Sequence, residues 1–151
     1  MENKQKITLT RIFDASIEKV WDMWTTPSLF AAWYGKPWEV PPESVEMDVR
    51  VDGRWKSITI AHGNTIHFTA VYREVEKPKK LVFAFQNPDD IHDPNIELVT
   101  VVLEETGDGK TKMVFTQAGN LPAEEYDTGL RKGWGGFFDH IEKHLTEIIT
   151  K

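Results

Sequence analysis

The stretch SVEMDVRVDGRWKSITIAHGN, Ser44 to Asn64, alternates apolar and polar side chains around Asp52-Gly53 and then runs into His62-Gly63-Asn64. Alternation at period two marks a strand with one buried face, and Asp-Gly between two such runs signals a hairpin. The stretch therefore predicts two antiparallel strands and the turn into a third. Downstream, IHFTAVYREVEKPKKLVFAFQ (66–86) gives two strands about Lys77-Pro78, and IELVTVVLEETGDGKTKMVFTQAG (96–119) gives a hairpin about Gly107-Asp108-Gly109. Six strands in succession joined by short connections predict an antiparallel meander, since parallel neighbours need crossovers of about a dozen residues or more.

Upstream, ITLTRIFD, Ile7 to Asp14, is rich in β-branched residues and reads as a seventh strand. The period then changes. Ser16 is placed to cap a helix in which Ile17, Val20, Trp21 and Trp24 recur at i, i+3, i+4 and i+7, with Glu18 near its positive end. Thr26-Pro27 stops that helix and starts a second one, capped by Thr26, with a stripe of Leu29, Phe30, Trp33 and Tyr34 and an end at Gly35. After Pro122, with Glu124 and Glu125 in the first turn, Tyr126, Leu130, Trp134, Phe137, Phe138, Ile141, Leu145, Ile148 and Ile149 keep a 3.6-residue period. This is a long amphipathic helix whose first half is interrupted by Gly129, Gly133, Gly135 and Gly136. Either the helix begins near Leu130 after a kink, or its backbone approaches the sheet or a loop closely at these glycines.

At 151 residues, 40% hydrophobic and 28% charged, the chain predicts a single domain over 1–151. It contains no cysteine, which removes disulfides, thiolate metal sites and cysteine nucleophiles. The N-terminus MENKQKITLTR lacks the apolar core of a signal peptide, and no apolar run reaches the ~18 residues that span a bilayer, so the expected location is the cytoplasm. A formal net charge of −6, with no basic cluster beyond Lys77-Pro78-Lys79-Lys80, argues against nucleic acid and membrane partners.

Few residues carry overt chemistry. His140 and His144 stand four apart on the last helix, but HIEKH lacks the glutamate directly after the first histidine that zinc proteases require. NPDDIHDPN, Asn87 to Asn95, lacks the calcium-loop register and reads as a solvated hairpin loop. There is no nucleophile elbow, phosphate loop or dinucleotide fingerprint, so no metal, cofactor or catalytic residue is assigned. Strand parity places Met113, Phe115 and Gln117 on one face, as it does Leu81, Phe83 and Phe85. Gln117 therefore points inward, where a ligand or another side chain must satisfy its amide. His62 and His67 flank a turn and read as exposed. Arg11 is either an inward anchor or the partner of an acidic neighbour such as Asp48.

The order strand, two short helices, six-stranded meander and long final helix resembles the START-like (SRPBCC, helix-grip) superfamily. Within it, the chain is most similar to bacterial proteins resembling the C-terminal domain of the activator of Hsp90 ATPase. The resemblance is carried by Arg11 to Trp21 (RIFDASIEKVW), Trp24 to Pro27 (WTTP), Trp33 to Gly35 (WYG), Asp48 to Trp55 (DVRVDGRW), Glu74 to Phe83 (EVEKPKKLVF) and Gly133 to Phe138 (GWGGFF). It departs at Asp52, where the family usually has a glycine pair. The resemblance implies an α+β helix-grip fold, in which a curved antiparallel sheet of seven strands wraps a long C-terminal helix and often leaves an apolar cavity between them.

If that cavity is present, its candidate lining is Trp24, Phe30, Trp33, Tyr34, Trp38, Trp55, Phe83, Phe85, Met113, Phe115, Gln117, Trp134, Phe137, Phe138 and Ile141, with Trp38 at the rim. For any one of these aromatics, plain core filling is the simpler expectation, and the excess as a group is what favours a cavity. The expected function is binding of a small apolar or aromatic ligand, by a monomer or a homodimer. A chaperone co-regulator is the alternative, against which the named relative's further N-terminal domain has no counterpart in 151 residues. An enzyme of the cyclase or dehydratase kind is a third reading, for which the sequence displays no acid–base pair.

Overall fold

The computed structural model describes residues 5–36, 38–87, 89–90, 92–93 and 96–149, with side chains to residue 146. β3 (Arg54–Ala61) and β4 (Asn64–Glu76) pair antiparallel from Arg54 opposite Val71 to Ala61 opposite Asn64. That register leaves a two-residue turn of His62 and Gly63 at φ 54° and 78°, the primed geometry whose twist matches paired strands. The Asp52-Gly53 hairpin also forms, but the strand before it is short: β2 is Glu46–Met47, paired with Lys56 and Trp55. From Asp48 to Gly53 the backbone turns instead. The Asp52 N–H donates to Tyr72 O at 2.9 Å, and the Tyr72 N–H donates to Gly53 O at 2.9 Å. The loop thus takes the backbone partners that a longer β2 would have left to the ladder. Asp52 sits at φ 69°, the left-handed region that aspartate enters more readily than most side chains.

β5 (Lys80–Gln86), β6 (Glu97–Glu105) and β7 (Thr111–Gly119) continue the meander, and β1 (Gln5–Phe13) returns to pair with β7. The sheet runs β1-β7-β6-β5-β4-β3-β2, antiparallel at every step. A bulge between Tyr72 and Glu74 shifts the β4–β5 register; an extra residue on one strand increases local twist and helps the sheet curl.

α1 (Ile17–Thr25) starts where Ser16 accepts from the Lys19 N–H at 3.4 Å. α2 (Pro27–Ala31) begins at Pro27 with Thr26 at the cap position, but the Thr26 side chain makes no capping hydrogen bond. α2 is also shorter than its apolar stripe predicts: Trp33 and Tyr34 lie in the turns that follow, which end at Gly35 with φ 85°.

The last helix resolves the alternatives left by its glycines. Helical backbone already starts at Ala123 and runs through a π-helical turn over Glu125–Gly129 into α3, Leu130–Ile149, so the irregularity is a π turn inside the helix and not a start at Leu130. Close backbone approach is not the explanation, because a Cβ on Gly133, Gly135 or Gly136 would meet nothing within 4 Å. Trp134, Phe138, Ile141 and Leu145 are buried, with Leu130 and Phe137 half-buried beside them. The side chains of Ile148 and Ile149 lie outside the described residues. Each fully buried side chain of this kind contributes about 1.5–3 kcal/mol. The set therefore rivals the net stability of a whole domain, about 5–15 kcal/mol.

Arg11 reaches this helix and not Asp48. Its guanidinium pairs with Asp139 at 2.8 Å and donates to Gly135 O at 3.3 Å, because β1 runs alongside α3. Among the described residues, no helix is long and apolar enough to cross a membrane.

Candidate functional site: an apolar cleft between sheet and last helix

Trp24 stands at the centre of the aromatic core. Its ring lies 4.7 Å from that of Trp33 and within 6.4 Å of those of Phe83, Phe115, Trp134 and Phe138. Trp33 is pinned by its indole N–H, which donates to Met23 O at 2.7 Å. Phe30 and Trp55 continue the cluster with ring centroids 5.1 Å apart. This packing explains why aromatics crowd the segment from Val20 to Gly35: α1 and α2 lie against the sheet and plug one part of its concave face.

Beyond that plug the concave face is not filled. A cleft of about 510 Å³ opens between the β3–β4–β5 end of the sheet, the first turns of α3 and the segment after α2. Six of the residues expected from sequence line it: Tyr34, Trp38, Phe85, Gln117, Trp134 and Phe137. The other nine, Trp24, Phe30, Trp33, Trp55, Phe83, Met113, Phe115, Phe138 and Ile141, are buried in the core behind that lining. Strand parity and helical periodicity identify an inward side chain but not how deep along the concave face it lies, and these nine lie where the helices and the sheet pack together.

Trp38 is 41% exposed at the mouth, with its ring 4.4 Å from that of His62. His67 and Ile66 share the mouth, so the exposure expected of His67 is also that of a rim residue. Thr59, Ile66 and Phe68 were within reach of sequence reasoning: alternation from Trp55 puts Ser57 and Thr59 on the inner face, and the hairpin register pairs Thr59 with Ile66 and Ser57 with Phe68. Gly129 and Gly133 also line the cleft. Their spacing of four on the side of α3 that carries Trp134 and Phe137 was the available signal for a hollow in the apolar face.

Gln117 is 3% exposed, and side chains bond both its amide oxygen and its amide nitrogen. The Trp134 indole N–H donates to Gln117 Oε1 at 2.7 Å, and Gln117 Nε2 donates to Glu97 Oε1 at 3.0 Å. The same Glu97 oxygen accepts from the Tyr126 hydroxyl at 2.7 Å, and Glu97 Oε2 accepts from the Asn120 N–H at 3.1 Å. An indole N–H can only donate and a carboxylate can only accept, so the orientation of the Gln117 amide is forced. Glu97 fits because Gly119 lies opposite it; a Cβ there would collide with the carboxylate. This network ties the π-helical turn to the sheet at the inner end of the cleft. Burial, and then the bond to Glu97, push the Tyr126 phenol up to about 12. Burial alone raises the Tyr34 phenol far above its ordinary range, so Tyr34 meets the cleft uncharged.

Two polar atoms on the lining have no partner among the described residues: Thr59 Oγ1 and Gln86 Oε1. Gly35 makes room for the first, since a Cβ on Gly35 would lie 2.7 Å from Val40 Cγ2 and 3.0 Å from Thr59 Oγ1. A second hollow of about 410 Å³, beside β2, β3 and β4, is lined by the charged Glu46, Arg54 and Lys56 together with Ser44, His67 and Phe68, and has none of the tryptophans of the cleft. His140 and His144 do not line the cleft, and among the described residues no three His, Asp or Glu side chains are grouped to hold a metal. In the loop after β5 the Asp89 N–H donates to Asn87 Oδ1 at 2.9 Å, a local turn; Pro88, Ile91, Pro94 and Asn95 lie outside the described residues.

Solved structures of similar fold are numerous. A protein of Nitrosomonas europaea is 20% identical over 100% of both chains, with a TM-score of 0.82. A Staphylococcus aureus protein described as of unknown function is 17% identical, covering 98% of this chain and 96% of that one, with a TM-score of 0.81. One from Chromobacterium violaceum is 22% identical over 93% and 96%, with a TM-score of 0.78. At these identities the likeness shows the fold, the seven-stranded helix grip. No curated protein matches the chain. A family model described as activator of Hsp90 ATPase homolog 1-like protein matches residues 14–146. The chain therefore belongs to the activator of Hsp90 ATPase homolog 1-like family.

Proposed function

We propose that this protein binds a small apolar or aromatic molecule in the cleft between the sheet and α3. The observation that carries the reading is the cleft itself. Its volume of about 510 Å³ falls within the usual range of ligand sites, about 300–1,000 Å³, and its lining is aromatic and aliphatic with a few polar atoms, as such sites are built. Ring contacts from Tyr34, Phe85, Trp134 and Phe137 would hold the ligand, with Trp38 covering it at the mouth. N-phenyl-1-naphthylamine, a neutral apolar dye that brightens out of water, tests the reading. Saturable brightening at one dye per chain is the expected result, and brightening that rises linearly without saturation would count against it.

The family's name supplies a second reading, regulation of an Hsp90-type chaperone. It predicts that adding the protein stimulates a purified Hsp90 ATPase. No change over a wide concentration range would remove it and leave the ligand reading intact.

A further inference from the structure

We propose that the cleft selects an uncharged ligand bearing a hydroxyl or amide group on its apolar body, and that Thr59 is the residue that recognises that group. The inference rests on the ligand-site reading above and adds the chemistry of the ligand's polar end.

Among the described residues the lining contains no Asp, Glu, Lys or Arg; His67, at the open mouth, is the one among them with a physiological charge change. A carboxylate or ammonium group carried inward would find no counter-ion, and burying an unpaired ion costs far more than a hydrogen bond returns. A charged ligand end is thus confined to the mouth. The interior nevertheless asks for polar contact. Thr59 is 4% exposed, faces inward from β3, and its hydroxyl has no partner among the described residues; Gln86, half-buried at the end of β5, also lines the cleft, and its Oε1 has no partner among the described residues. Six buried side-chain polar atoms are left without partners among the described residues, and these two are the ones on the cleft. Buried polar atoms are normally satisfied, so a pair of orphans on one wall of a hollow is what a ligand would complete.

The hydrogen-bond inventory specifies the group. Gln86 Oε1 accepts only, whereas the Thr59 hydroxyl both donates and accepts. Gln117 adds a donor: Glu97 takes one hydrogen of its amide nitrogen, and the second remains on a side chain that lines the cleft. Hydroxyls and amides both donate and accept, which matches this set. A pure hydrocarbon would leave the Thr59 hydroxyl and Gln86 Oε1 unpaired.

Three probes of similar size separate the possibilities: 2-naphthol, 2-methylnaphthalene and 2-naphthoate, titrated by calorimetry into the parent, Thr59→Val and Gln86→Leu. The parent should bind 2-naphthol about tenfold more tightly than 2-methylnaphthalene, and 2-naphthoate no more tightly than 2-methylnaphthalene. Thr59→Val replaces an orphaned hydroxyl with a methyl of the same shape. It should therefore melt no lower than the parent while its preference for 2-naphthol falls to about threefold or less. Gln86→Leu should narrow the preference in the same direction. Equal affinity of the parent for 2-naphthol and 2-methylnaphthalene, an unaltered preference in Thr59→Val, or tightest binding of 2-naphthoate would overturn the proposed selectivity while leaving the cleft as a ligand site. Failure of all three probes to bind would overturn the ligand-site reading, and the selectivity with it.

Discussion

Replacing Gly133 with leucine should make the protein more stable and less able to bind. Gly133 sits inside α3 with an ordinary helical neighbourhood, and a Cβ added there meets nothing within 4 Å. Glycine in a helix interior costs about 1 kcal/mol relative to a good helix former, and the added Cβ meets no steric obstacle here. For a domain of this size 1 kcal/mol moves the melting temperature by about 2–4 °C, so Gly133→Leu should melt that much higher. The same residue lines the cleft, and a leucine side chain projected from it occupies space that a ligand would need. Affinity for N-phenyl-1-naphthylamine should fall by about tenfold or more, the equivalent of ~1.4 kcal/mol of lost contact. Gly133→Ala separates the two effects: it should keep the stability gain and most of the affinity. Scanning calorimetry and dye titration on the three proteins provide the test. A lower melting temperature in Gly133→Leu would mean that the backbone there is closely packed after all, and unchanged affinity would mean that the dye does not occupy this cleft.

Three further outcomes are expected. Truncation after Asn120 removes the buried face of α3 and should abolish cooperative unfolding; a sharp melting transition in the truncated chain would refute the grip arrangement. Gln117→Leu orphans the Trp134 N–H and breaks one bond to Glu97, so urea denaturation should show a loss of about 1–3 kcal/mol, and a loss near zero would show that the network is not closed in solution. Tyr126 is held protonated up to about 12 in the folded chain, against about 10 when unfolded. Its stabilisation is therefore complete below pH ~10 and is lost as pH rises towards 12, where only the unfolded chain has already released its proton. Tyr126→Phe should flatten that part of the alkaline decline, and an unchanged slope would contradict the assignment.

The fold was legible because period-two runs, turn residues and helix caps agree along the whole chain. Ser16 caps α1, His62-Gly63 turns β3 into β4, and Pro27 starts α2. Where the reading failed, a tertiary partner intervened. The alternation through Val49 and Val51 would extend β2, yet Tyr72 draws the loop at Asp52 and Gly53 onto β4. Arg11 was within one element of its partner in neither direction along the chain, and only the packing of β1 against α3 brings Asp139 to it. The candidate site was half legible for a related reason. Parity separated inner from outer side chains correctly for Gln117, but Phe115 and Gln117 are both inward on β7, and only the position of α1, whose Trp24 stacks on Phe115, decides that one is core and the other cleft lining. The glycines were misleading in a physical sense: their absence of side chain suggested close packing, whereas at Gly133 it leaves open space.

The most direct test of the central claim is a two-dimensional amide NMR titration of the isotopically labelled protein with 2-naphthol. The expected result is saturable, one-to-one shift changes centred on Gly35, Trp38, Thr59 to Phe68, Phe85, Gln86, Gln117 and Gly129 to Phe137, with the outward-facing positions of β1 unmoved. Changes scattered over the convex face of the sheet, or none at saturating probe, would contradict it.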